Sequence, residues 1–143
     1  MLPQPQSAQT VKVWDIWVRI THWAVSAGIF VNLIVTEGGS DVHEYIGYAV
    51  VALVVSRLLW GLVGSQYARF SNFFPTPTRI REHMTDIKQH KFQGHLGHNP
   101  LGALMMFALW GVIIALGVTG YLQTTDQFWG DDTIQTIHEF LAN

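Results

Sequence analysis

Three of the seven histidines, His22, His43 and His138, stand within or at the mouths of apolar runs, and the chain has no cysteine. Without thiols there are no disulfides, thiolate metal sites, iron–sulfur clusters or covalent c-type haem attachment, so imidazole is the strongest metal ligand left. Two imidazoles facing each other across a helix bundle can ligate a haem iron axially. That arrangement leaves no open position for oxygen chemistry and suits electron transfer. His43 and His138 both open helical segments at the same face of the molecule, and His22 lies about 9 Å into its own helix from the opposite side, at 1.5 Å per residue. Gly47, one turn after His43, offers the clearance that a porphyrin edge needs against a helix. Arg57, fourteen residues beyond His43 and about 21 Å deeper, is level with His22 and can pair with haem propionates or a quinone headgroup. Arg19 shares a face with His22 and suits a propionate, although an arginine at the edge of a span also snorkels to the headgroups. A lone intramembrane histidine such as His22 can instead hydrogen-bond to a neighbouring helix.

The elements that must position these groups are membrane spans. Ile20 to Thr36 and Leu101 to Leu122 hold no charged residue, and Arg57 is the only charge between Tyr45 and Val63. Each run is long enough to cross about 30 Å of hydrocarbon. The reading is an all-α integral membrane protein of one domain, residues 12 to 143, behind a flexible leader over 1 to 11. Helices are expected over 16–36, 43–63 and 100–122, with a partial fourth over 133–143 capped by Asp132 or Thr133. No cleavable signal pattern precedes the first run, which is expected to stay as an anchor.

All eight Lys and Arg residues fall before the first run, near the end of the second, or between the second and third. Glu37, Asp41, Glu44, Asp126, Asp131 and Asp132 occupy the other two loops with no cation among them. The positive-inside rule then puts the N-terminus and the 64–99 loop in the cytoplasm and the acidic loops outside. The few cations form no patch for a nucleic acid; the partners indicated are lipid and other proteins. In the cytoplasmic loop Ile80, Met84 and Ile87 fall at i, i+4, i+7, which suits a short amphipathic helix on the membrane surface, capped by Thr76 with Pro77 first. Asn99 and Pro100 repeat that device for helix three. His83 and His90 read as solvated, and His95 and His98 lack a third metal ligand nearby. His98 reads better as an interfacial contact for a propionate or quinone. Gly111, Gly117 and Gly120 read as close-packing positions, and Trp14, Trp17, Trp60 and Trp129 as interface anchors.

The stretches "KVWDIWVRITHW", "HEYIGY", "SRLLWGLVGSQYARF", "GHNPLGALMM" and "TIHEFLAN", in this order from Lys12 to the last residue, resemble the bacterial cytochrome b561 family. That family includes the cytochrome b subunit of nickel–iron hydrogenases. The resemblance implies an up-down four-helix transmembrane bundle with two b-type haems, passing electrons between a redox partner and the quinone pool of the bacterial inner membrane. His43 and His138 match the outer haem pair, and His22 matches one ligand of the cytoplasmic-side haem. The remaining ligand of the family lies further into helix four than this sequence reaches, so three full spans and the start of the fourth are expected, in a sequence cut short. One or two haems b, a hydrogenase, another dehydrogenase or a c-type cytochrome as partner, and an oligomer are all compatible with this pattern. A haem-free anchor for a peripheral oxidoreductase and a small transporter lined by Arg and His are the rival readings.

Overall fold

The computed structural model describes residues 14–91 and 99–143; the leader over 1–11, with His95 and His98, lies outside the described residues. The order is α1 (Ile16–Ile34), α2 (Asp41–Val63), α3 (Phe70–Phe73), α4 (Pro77–Lys88), α5 (Pro100–Gln123) and α6 (Asp132–Ala142). No strand occurs among the described residues.

Helix starts follow their caps. Asp15 accepts from the Val18 N–H, Ser40 from His43, Thr76 from Arg79 and Asn99 from Gly102, each satisfying a first-turn donor that has no partner within the helix. Two starts depart from the sequence pattern for that reason. Ser40 starts α2 two residues before His43, and Asp131, not Asp132 or Thr133, caps α6, accepting from both Thr133 and Ile134. At the other end α1 stops at Ile34, and the backbone N–H groups of Val35 and Thr36 both turn back onto the Val31 carbonyl. The four-residue α3 follows a turn whose aromatic residues carry no helical period to read.

Among the described residues two helices, α2 and α5, are long and apolar enough to cross a membrane. The sequence reading takes α1 as a third span. Its 19 residues include Arg19, Thr21, His22 and Asn32, and it is not among the helices that meet that length and apolarity.

Large apolar side chains stand exposed along all the long helices, among them Phe30, Leu33, Leu59, Leu62, Met105 and Leu109, while the buried core is small. A hydrocarbon surround accounts for this, because burying apolar groups between helices gains little over leaving them in lipid. Association then depends on close backbone approach. Val50 and Val51 are neighbours on α2 and face different partners. A Cβ on Gly28 of α1 would lie 2.5 Å from Val50 Cγ2, and one on Gly117 of α5 would lie 2.5 Å from Val51 Cγ2. Helix α2 is therefore the central element, flanked by α1 and α5, and α6 packs on α5. Gly111, grouped with Gly117 in the sequence reading, has open space where a Cβ would be.

A polar knot ties the start of α1 to the end of α2. Trp60 Nε1 donates to Asp15 Oδ2 at 2.9 Å, and the Ser65 hydroxyl donates to the same oxygen. Burial opposes ionisation of Asp15, but the hydrogen bonds from Ser65, Trp60 and the Val18 N–H, with the Arg57 charge nearby, hold its carboxyl below the ordinary 3.8.

Two outcomes follow. Gly117→Ala forces the added methyl into the β-branched Val51 and lowers stability by about 1–3 kcal/mol, the range for overpacking, with partial recovery in the Gly117→Ala, Val51→Ala pair, read by thermal unfolding in detergent. Asp15 has a lower pKa folded than unfolded, so its stabilisation is complete above its unfolded value and fades as pH falls through the folded one. Asp15→Asn lowers stability at neutral pH and flattens the loss seen on acidification in the same assay.

Candidate functional site

His43 lies in the first turn of α2 and His138 in the second turn of α6, and the fold brings their rings to 6.3 Å between centroids, with 65° between their planes. Both are half-buried. That separation would leave room for a metal held by one nitrogen of each ring.

Each imidazole is held through Nδ1 by a threonine hydroxyl: His138 by Thr119 at 2.8 Å and His43 by Thr36 at 3.3 Å. The direction of these bonds follows from what each hydroxyl does with its own proton. Thr119 Oγ1 donates to the Ala115 carbonyl one turn back, at 2.9 Å, and Thr36 Oγ1 donates to the Asn32 carbonyl at 3.0 Å. With its proton so engaged, each hydroxyl accepts from an Nδ1–H. Both rings are thereby set as the tautomer whose lone pair lies on Nε2, the form that binds a metal. This is the donor set that a bis-imidazole haem requires, and the residues fit the group.

The surroundings fix the two rings further. Asn32 Nδ2 of α1 donates to the His43 carbonyl at 3.0 Å, tying the start of α2 to α1. Gly120 leaves room for His138, since a Cβ there would lie 3.3 Å from His138 Cε1. Gly47 is open apart from an ordinary contact with Asn32, at 3.7 Å from a built Cβ.

The other sequence candidates stand apart from this pair. Arg19 and His22 are exposed, and His22 makes an edge contact with its neighbour Trp23, ring centres 5.7 Å apart. No second imidazole contacts His22 among the described residues. Arg57, 4 % exposed, directs its guanidinium to the Ala68 carbonyl, at 3.4 and 3.5 Å, and lies 5.5 Å from the Trp110 ring centre. Its observed contacts thus hold the turn after α2. His98 lies outside the described residues. At the Arg57 end, an open and almost wholly apolar groove of about 560 Å³ lies between α1 and α2, lined by Asp15, Ile16, Trp17, Leu59, Trp60 and Val63, with Ser56.

Sequence reasoning missed Thr36, Thr119 and Asn32. Asn32 and Thr36 did leave a signal, polar groups one turn apart near the end of an apolar run. Thr119 left none, because a threonine within a span also satisfies itself on its own helix.

Residues 13–143 match the prokaryotic cytochrome b561 family. The chain is similar to the probable Ni/Fe-hydrogenase B-type cytochrome subunit of Bradyrhizobium diazoefficiens, 26% identical with 78% of this chain and 57% of that one covered. It is also similar to the proteins of the same description from Azotobacter vinelandii and Azotobacter chroococcum, each 24% identical with 78% of this chain and 58% of the relative covered. The chain thus spans less than two thirds of the length of these relatives. No solved structure matches.

Thr119→Val removes the acceptor for His138 Nδ1 while keeping the shape of the side chain. Loss of such a supporting partner costs about 10–100-fold in affinity for the bound metal group, to be read by haem titration of the purified chain against the unchanged protein.

Proposed function

The chain belongs to the prokaryotic cytochrome b561 family, and from that premise we propose that it is a membrane b-type cytochrome that passes electrons between a redox partner protein and the quinone pool. The observation that carries this reading is the His43–His138 pair, 6.3 Å between ring centres, with both Nδ1 atoms held by threonines. In it His43 and His138 are the axial ligands of one haem b, which supplies one-electron chemistry when bound. The protein's own work is positional. Thr36 and Thr119 hold the two Nδ1 atoms, which leaves each Nε2 free for the iron, and Asn32 holds the start of α2. Such a site moves electrons and leaves bond chemistry to its partners.

His22, with Arg19 one turn before it, is the proposed ligand of a second haem b on the cytoplasmic side, Arg19 facing a propionate and His98 a propionate or quinone. The four-helix up-down bundle belongs to the same proposal, with α1, α2, α5 and α6 as its members. So does the orientation, N-terminus in the cytoplasm of a bacterial inner membrane, from the one-sided distribution of Lys and Arg. The apolar groove beside Asp15 is the candidate place for a quinone in this proposal. The relatives are named as hydrogenase B-type cytochrome subunits, and a hydrogenase is accordingly the proposed redox partner.

The test is a dithionite-reduced minus oxidised spectrum of the purified chain with haem quantified per polypeptide. Low-spin b-haem at about one or more per chain is expected, abolished at the outer site by His43→Ala or His138→Ala and kept there in His22→Ala. A chain that folds in the membrane yet takes up no haem is instead an anchor for a peripheral oxidoreductase, and that result would overturn the cytochrome reading.

A further inference from the structure

Helix α4 takes no part in the electron-transfer site, and its surface is ordered in a way that a solvated loop helix does not need. Ile80, Met84 and Ile87 lie at i, i+4 and i+7 and share one face. That face is left largely uncovered: Met84 is 41 % and Ile87 46 % exposed, and the contact between α4 and α5 is slight.

The charges on α4 are sorted about this stripe. Arg81 stands three residues before Met84 and Lys88 four residues after it, so both lie beside Met84 along one edge of the stripe. Glu82 and Asp86 stand two residues before and two after Met84, spacings that turn them away from it; Glu82 is exposed and Asp86 half-buried. Both cations are exposed and make no ion pair among the described residues. Arg79 is differently engaged, its Nη1 3.4 Å from the Asn72 carbonyl oxygen and 3.3 Å from that of Phe74, which anchors the start of α4 to the preceding turn. At that same end Phe74 is exposed beside Phe107, and Phe73 is buried.

An apolar stripe with cations along one edge and Glu82 exposed on the far side complements a surface that is apolar within and anionic at its rim. We infer that α4 docks on the bilayer that the chain itself spans, with Ile80, Met84 and Ile87 among the upper acyl carbons and Arg81 and Lys88 on the phosphates of anionic phospholipids. The long stems of the two cations suit this position, since they cover apolar surface while the charged heads reach the phosphates. Helix α4 thereby fixes the loop between α2 and α5 against the membrane face. The inference rests on the membrane character of the chain and needs no haem, so its outcome is separate from that of the spectroscopic test.

The absence of cysteine allows a single spin label on the full chain. Met84→Cys, Ile87→Cys and Glu82→Cys are labelled separately and placed in nanodiscs of phosphatidylcholine alone or of equal phosphatidylcholine and phosphatidylglycerol. Collisions with lipid-soluble oxygen are compared with those of a water-soluble nickel chelate. Labels at 84 and 87 are expected to favour oxygen, more strongly with phosphatidylglycerol, while the label at 82 favours the chelate in both. Adding Arg81→Gln and Lys88→Gln is expected to remove the dependence on phosphatidylglycerol. A label at 84 or 87 as open to the chelate as that at 82 would overturn the inference and leave the face to a protein partner. Lipid contact equal in both nanodiscs, or a lipid dependence that survives the double substitution, would overturn the role of Arg81 and Lys88.

Discussion

Inside hydrocarbon there is no water to satisfy a polar group, and every imidazole, amide, hydroxyl or guanidinium must find its partner within the protein. Much of this structure follows from how that requirement is met. Thr119 donates to a carbonyl of its own helix and accepts from His138; Thr36 does the same toward Asn32 and His43. One hydroxyl in each case satisfies itself and orients a ring. A span that merely tolerated polar residues would need only the first of these bonds. The second makes the two histidines a matched pair of donors.

The positions of the helices follow from a second feature of the same medium. Lipid gives helices little apolar reason to associate, so contact depends on backbones coming close. Val50 and Val51 project from α2 toward Gly28 of α1 and Gly117 of α5, which makes α2 the shared neighbour of both. His43 sits at the start of this central helix. His138 reaches it from α6 by way of α5, where Gly120 leaves the space its ring occupies. The site is therefore built from one central helix and one peripheral helix, with the intervening contacts made by small residues.

Arg57 illustrates how a rule about membranes leaves the protein partners of a residue open. A lone cation in an apolar run reads as a counter-charge for an anionic ligand. In the structure the chain leaves α2, turns at Gly64 and returns the Ala68 carbonyl to within reach of the guanidinium, with Trp110 of α5 beside it. The same corner holds the Asp15–Trp60–Ser65 knot, so this end of the molecule is fastened by polar contacts and an aromatic cluster in which Phe70, Phe73 and Phe107 meet. The start of α2 serves the histidine pair, and its end serves the connection.

The sequence by itself determined the helical class, the apolar character of α2 and α5, the Thr76 and Asn99 caps, and the identity of the two histidines that meet. These are local properties: charge-free length, a capping side chain followed by a helix, and an imidazole at the mouth of a helix are written in consecutive residues. It did not determine which groups hold the rings, because His138 and Thr119 are 19 residues apart on different helices and a threonine has a local use that hides a distant one. Nor did it determine that Arg57 faces a carbonyl 11 residues further on, since the course of the turn after α2 decides whether that oxygen comes near. Tertiary structure alone decided those pairings, because a hydrogen bond between helices depends on their relative placement, and that placement is set by close backbone contacts that no single segment contains.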